Sequence, residues 1–249
     1  MGKHSKRDSL NRNMLFIIGT DTGVGKTFVT AAVAARLREL GENVGVCKPF
    51  GTGAVLENGS LVCEDTVLLK AASGVDLPYE AITPVVYKTP LAPNWAARIE
   101  NRPVDVAQGA RAVNDLKELY QPFLVEGIGG LMVPLTDDIL VLDFIAEFKA
   151  PVLLVARLDL GTLNHTLLTL HALKSKKIPV AGIILNGAEE TQSATAASTN
   201  MDNLGIIQDA PVFGMIPHKP IGSQLSSVID IVIKGCFGIG DVDCYEPGK

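Results

Sequence analysis

Aromatic side chains are scarce in this chain: Phe, Trp and Tyr make up 5% of its 249 residues, and there is a single tryptophan. Hydrophobic residues nevertheless reach 47%, so a large core is built mainly from Val, Ile, Leu and Ala, as in α/β proteins. Cysteine is sparse too. Cys47, Cys63, Cys236 and Cys244 form no C-x-x-C pair, which excludes a disulfide framework and points to reduced thiols in a cytoplasmic protein. A basic excess is missing: the net charge of −5 argues against a general nucleic-acid binder. No apolar run approaches the length of a membrane span. The opening "MGKHSKRDSLNRN" lacks the apolar segment of a signal peptide, and Ser5 falls one place early for myristoylation of Gly2.

What is present is an alternation. Short β-branched runs at Met14–Ile18, "NVGVCKP", Pro84–Tyr87, Phe123–Glu126, Val152–Ala156, Val180–Leu185 and Val212–Ile216 read as strands. Most lack polar alternation, as expected for strands covered on both faces. Helical spacing follows at Thr27–Leu40, Val104–Leu119 and Leu163–Lys174, with Gly41 as a C-terminal stop for the first helix. The expected fold is therefore α/β, one domain with a mainly parallel central sheet and helices on both faces. Residues 14–235 are expected to form it, between a disordered polar tail at 1–13 and a C-terminal tail at 236–249. Gly51–Gly59 reads as an ordinary loop. Gly187–Thr199, rich in Ala, Ser and Thr, reads either as a mobile segment over a site or as a solvent-facing loop.

The chemistry starts in "FIIGTDTGVGKTFVT". Gly25-Lys26-Thr27 follows a strand and opens a helix, the context of a phosphate loop. Backbone N–H groups there wrap a phosphate, Lys26 reaches the β- and γ-phosphates, and the Thr27 hydroxyl ligates Mg²⁺. The general pattern would put glycine at position 20; the chain has Thr20, and Gly19 is one place early. Glu126 ends a buried strand in "PFLVEGIGG", in the crevice where α/β sheets bind ligands, and holds Mg²⁺ directly or through water. Asp65 in "VCEDTVLL" either caps a helix or joins the metal. Lys48 in "VCKPFGTG" either points to solvent or enters the site.

Taken together, "GTDTGVGKT", "KPFGTG", "EDTVLL", "PLAPNWAA", "VEGIGGLMVPL", "LDLGTLNHTLLT", "GIILN" and "GMIP" resemble the dethiobiotin synthetase family of P-loop enzymes, over about Phe16–Pro217. The resemblance implies a dimeric ligase of biotin synthesis that uses ATP, Mg²⁺ and CO₂ to close the ureido ring of 7,8-diaminopelargonate. It implies a carbamate, then a carbamic-phosphoric anhydride, then ring closure by the second amine. It assigns Gly23, Val24, Gly25, Lys26, Thr27 and Phe28 to the phosphates, with Asn186 and Pro217 on the nucleotide. Thr27, Asp65 and Glu126 become the metal ligands. Lys26, Lys48 and Thr22 become the catalytic groups, with Thr22, Lys48 and Thr52 around the carbamate. Gly161 and Asn164 approach the substrate from the partner chain, so each site is shared across the dimer.

Two of these roles have ordinary alternatives: Asn186 before Gly187 is also a routine turn, and Asn164 a routine helix cap. The chain also departs from the family. Asn94 stands where histidine is frequent, Trp95 is bulky, and Asp159 replaces a lysine of some members, leaving Arg157 or a backbone N–H to hold the substrate carboxylate. The rival reading is a ParA/MinD-like switch ATPase. It predicts a signature lysine where this chain has Asp21, followed by Thr22. A cobyrinic-acid-type amidotransferase would need a further glutaminase domain. A nucleotide-binding module without turnover has no need of Lys26, Thr27, Asp65 and Glu126 together.

Overall fold

The computed structural model describes residues 13–188, 203–204, 210–218, 220 and 222–240. Both tails, apart from Asn13 and the stretch up to Gly240, and most of the 187–199 segment lie outside the described residues.

Six strands form one parallel sheet: β1 (Met14–Gly19), β2 (Gly45–Cys47), β7 (Phe123–Gly130), β8 (Val152–Arg157), β9 (Val180–Ala188) and β10 (Val212–Pro217), in the order β10-β9-β8-β1-β7-β2. β1 shows why these runs carry no polar alternation. Met14, Phe16 and Ile18 enter one core and Leu15 and Ile17 the other, and all five are buried. The first core is closed by α4 (Pro93–Ile99), α5 (Val106–Leu119), α6 (Val141–Ala146) and α7 (Thr162–Ser175). The second is closed by α1 (Lys26–Glu39), α2 (Glu64–Ser73) and α8 (Gly222–Phe237). Helices thus cover both faces of the sheet. α8 runs past the expected limit at residue 235, and Cys236 is buried in it.

In α1 the buried stripe Val29, Val33 and Leu37 recurs every four residues, the spacing of one helical face. The helix ends as expected at Gly41. Gly41 takes φ 86°, its N–H reaches the Arg38 carbonyl at 3.0 Å, and the Glu42 N–H reaches the Leu37 carbonyl at 3.0 Å. This left-handed residue satisfies carbonyls that the helix end would orphan.

Two expectations need correction. Pro84–Tyr87 does not join the main sheet: β6 (Val85–Val86) pairs only with β3 (Phe50–Gly51), in a separate two-stranded patch. Pro49 and Pro84 precede these strands without an N–H to donate, which limits the ladder at that end. The Gly51–Gly59 stretch is not an ordinary loop. It contains β4 (Val55–Glu57), which pairs antiparallel with β5 (Ser60–Val62) across Asn58 (φ 50°) and Gly59 (φ 87°). Asn-Gly favours a two-residue hairpin turn because both residues tolerate positive φ. A four-residue helix, α3 (Tyr79–Ile82), completes the described elements between α2 and β6. Among the described residues no helix is long and apolar enough to cross a membrane.

Candidate active site

The loop between β1 and α1 lies at the carboxyl edge of the sheet. Gly23 (φ 74°) and Gly25 (φ 90°) let it turn back sharply. Gly25 is the N-cap of α1 and offers no side-chain cap, and the first turn contains no acid. The leading N–H groups of α1 therefore face outward with positive dipole and no internal acceptor, a site for an anion. Lys26 folds back over the loop, its Nζ donating to the Asp21 carbonyl at 2.9 Å. Burial lowers the Lys26 pKa to about 8, with Glu126 pulling upward and Lys48 downward. A nearby phosphate would restore its charge.

Beside the loop lies a compact cluster of charges. β7 carries Glu126, opposite Ile17 in register, with its side chain fully buried. Its Oε1 accepts from Thr27 Oγ1 at 2.8 Å and from Lys48 Nζ at 2.7 Å. Lys48 follows β2, and its Nζ also donates to Asp65 Oδ2. Lys48 is therefore buried and paired, and does not point to solvent. Burial alone would lower its pKa, but Glu126 and Asp65 outweigh that and raise it. Burial would raise the Asp65 pKa, but Lys48 overrides it and holds the carboxyl below its ordinary value. Asp65 lies in the first turn of α2, where Cys63 holds the N-cap position, so it is not the cap.

One cavity of about 350 Å³ gathers Thr22, Gly23, Gly25, Lys26, Thr27, Lys48, Thr52, Asp65 and Glu126 from four separate stretches of chain. Its wall also includes Ile128 and Gly129, which the sequence reading left without a role. Their signal was the glycine turn in "VEGIGG": Gly129 takes φ 59°, and a Cβ there would clash with Val133 Cγ2 at 2.6 Å.

The arrangement fits a magnesium nucleotide. Glu126 Oε2 is buried without a partner, a desolvated carboxylate oxygen that calls for a cation. Thr27, Asp65 and Glu126 are hard oxygen donors, the kind Mg²⁺ takes together with phosphate oxygens. Among the described residues no group of three or more His, Cys, Asp and Glu is arranged for a metal. A site completed by a hydroxyl and phosphates does not require one.

The remaining candidates lie apart from this cavity wall. Val24 is buried under the loop, and Phe28 is partly exposed on α1. Asn186, near the end of β9, donates from Nδ2 to the Val24 carbonyl at 2.9 Å. Pro217 ends β10 and is half-buried. Gly161 is the left-handed N-cap of α7 (φ 92°), and Asn164 is exposed in its first turn. The Asn164 side chain is not the cap. Arg157, considered for the substrate carboxylate, is aimed at the phosphate loop, 3.5 Å from Asp21. Asn94 donates to Asp137 at 3.4 Å, while Trp95 is exposed under the guanidinium of Arg98.

A strand, a glycine-bearing loop and a helix that opens on Lys-Thr, with an acid on the next strand, define a P-loop nucleotide-binding protein. A family profile described as an AAA domain matches residues 13–224. The MinD cell division protein of Aquifex aeolicus shares the fold at 14% identity, with a TM-score of 0.52 over 92% of this chain and 99% of that one. The ATP-dependent dethiobiotin synthetase BioD of Thermodesulfovibrio yellowstonii is 42% identical over 82% of this chain and 88% of its own. That of Bacillus licheniformis is 40% identical over 81% and 84%. The chain belongs to the ATP-dependent dethiobiotin synthetase family.

Proposed function

We propose that this chain is the ATP- and Mg²⁺-dependent ligase that closes the ureido ring of 7,8-diaminopelargonate with CO₂, giving dethiobiotin, ADP and phosphate. The observation that carries the reading is the cavity in which Lys48 meets Asp65 and Glu126 beside the Lys26-Thr27 helix start. One amine attacks CO₂ and loses a proton to leave a carbamate. A carbamate oxygen takes the γ-phosphoryl group, forming the mixed anhydride. The second amine then attacks the carbonyl carbon, phosphate departs, and the ring closes.

The chain's own residues supply position and charge, which is most of what phosphoryl transfer requires. Lys26 and the α1 amides hold the phosphates. Thr22 and Thr52 offer hydroxyls on the carbamate side, and the Lys48 ammonium offsets charge on both carbamate and transferring group. Thr27, Asp65 and Glu126 would hold Mg²⁺, which supplies neutralisation of phosphate charge. Asn186 and Pro217 border the nucleotide, with Asn186 on the base.

The working unit on this reading is a cytoplasmic homodimer in which Gly161 and Asn164 of one chain complete the substrate side of the other. Supporting it, Gly161 and Asn164 are absent from the wall of the phosphate cavity, and Leu160 between them and β8 is 99% exposed. Met132 and Leu168 add exposed apolar surface beside the loop. The likeness to MinD extends to the fold alone. The deciding experiment measures phosphate release from ATP with and without 7,8-diaminopelargonate and bicarbonate. Release that requires both is expected; robust release indifferent to the diamine would favour a switch ATPase.

A further inference from the structure

Asn186 is held by the sheet on both sides. It pairs in register with Arg157 of β8 and Ile216 of β10, and its carbonyl accepts from the Leu158 N–H at 3.2 Å. β8 lies between β9 and β1 in the sheet, so the side chain reaches across it to the loop that follows β1. There Nδ2 donates to the Val24 carbonyl at 2.9 Å, joining residues 162 positions apart. The contact continues to the next residue. A Cβ on Gly25 would run into Nδ2, so the nitrogen end of the amide is packed against the residue that caps α1. Gly25 holds φ 90°, a conformation that few other residues adopt.

A loop that presents backbone N–H groups to an anion loses freedom on binding unless it is ordered beforehand. Two side-chain bonds of this loop are local, Thr22 N–H to Asp21 Oδ1 at 2.7 Å and Lys26 Nζ to the Asp21 carbonyl, and the longer Arg157–Asp21 pair at 3.5 Å is solvent-exposed. The Asn186 bond ties the loop to a rigid strand from another part of the chain. We infer that Asn186 is a positioning residue for the phosphate loop, its amide holding the Val24–Gly25 backbone in the phosphate-accepting conformation independently of any contact with a nucleobase. The inference rests on the reading of this loop as a phosphate site and adds to it a coupling of the base side to the phosphate side through one side chain.

The test uses a ligand with phosphates and no base. Binding of inorganic tripolyphosphate with Mg²⁺ is measured by calorimetry for the full chain, for Asn186→Ala, and for Asn186→Leu, which keeps the bulk and removes the amide. All measurements are made well below each protein's melting temperature. Both variants are expected to bind tripolyphosphate about tenfold more weakly, the scale of one lost hydrogen bond. Hydrogen exchange of the ligand-free amides at 22–27 is expected to quicken. Weaker ATP binding with unchanged tripolyphosphate affinity would overturn the inference and leave Asn186 as a base reader. A lowered melting temperature with unchanged tripolyphosphate affinity would overturn it as well. Failure of the unaltered chain to bind either ATP or tripolyphosphate would instead sink the phosphate-site reading. The exchange measurement then decides the positioning role of Asn186 on its own, and unchanged loop exchange would refute it.

Discussion

Around the phosphate loop, Lys26, Lys48, Asp65 and Glu126 are bonded to groups of their own chain, and all but Asp65 are buried, whereas Leu160, Gly161 and Asn164, after β8, face outward, with Leu160 almost fully exposed. The difference follows from what each side must do before any ligand arrives. Charges taken out of water need partners within the fold, or folding bears the full desolvation cost. The phosphate side therefore comes preassembled, two ammonium groups against two carboxylates. An exposed left-handed turn and a solvent-facing asparagine have no such requirement. They stay open to whatever meets that face.

The largest effect is expected from a single change on the closed side. Glu126→Gln keeps the shape but removes the buried charge that faces Thr27 and Lys48. The activation free energy should rise by about 3 kcal/mol, so that turnover falls roughly a hundredfold or more. Steady-state phosphate release at saturating ATP and Mg²⁺ reads it, and near-normal turnover would reject the metal role.

Next in size is coupling between the sides. Without diamine or bicarbonate, ATP hydrolysis should run at a small fraction of the coupled rate, because Lys48, Thr22 and Thr52 then lack the carbamate they hold. Rapid hydrolysis by the chain alone would mean that the closed side works without the open one.

Mixed dimers separate the two sides. Lys48→Ala disables the phosphate side, and a disruptive change at Asn164 disables the outward side. Each alone should be inactive. After random subunit exchange about half the dimers are mixed, and one of two sites in each is intact, so roughly a quarter of the original activity should return. No recovery despite verified exchange would assign the Asp159–Asn164 stretch to its own chain.

The smallest effect is expected where the two sides meet. Arg157 and Asp21 are 3.5 Å apart, and both are more than one-third exposed. Arg157→Ala should change the unfolding free energy by less than about 1 kcal/mol, and the change should shrink with salt. A loss of several kcal/mol in a denaturant titration would show that the pair binds the two sides more firmly than its exposure allows.

Much of this arrangement was legible along the chain because it rests on neighbours in sequence. The apolar run of β1, the glycines at 23 and 25, Lys26-Thr27 at a helix start and the stop at Gly41 are short-range patterns. Unalternating strands between amphipathic helices already imply a covered parallel sheet. The hairpin at Asn58-Gly59 was equally local, and its dipeptide carried the signal that the loop reading overlooked. Other features depend on which strand ends become neighbours. Lys48 is indistinguishable from a solvent-facing lysine until β2 and β7 pair and bring Glu126, 78 residues away, within 2.7 Å of it. Asp65 could have been a cap until α2 docked beside the same ammonium. Arg157 turning to Asp21, Asn186 reaching Val24, and Pro84–Tyr87 leaving the main sheet were decided in the same way. Periodicity and turn chemistry act over a few residues, so the elements and the phosphate loop follow from local patterns in the chain. The partner of a buried charge or amide is chosen by sheet order and helix docking, which exist only once distant segments have packed together.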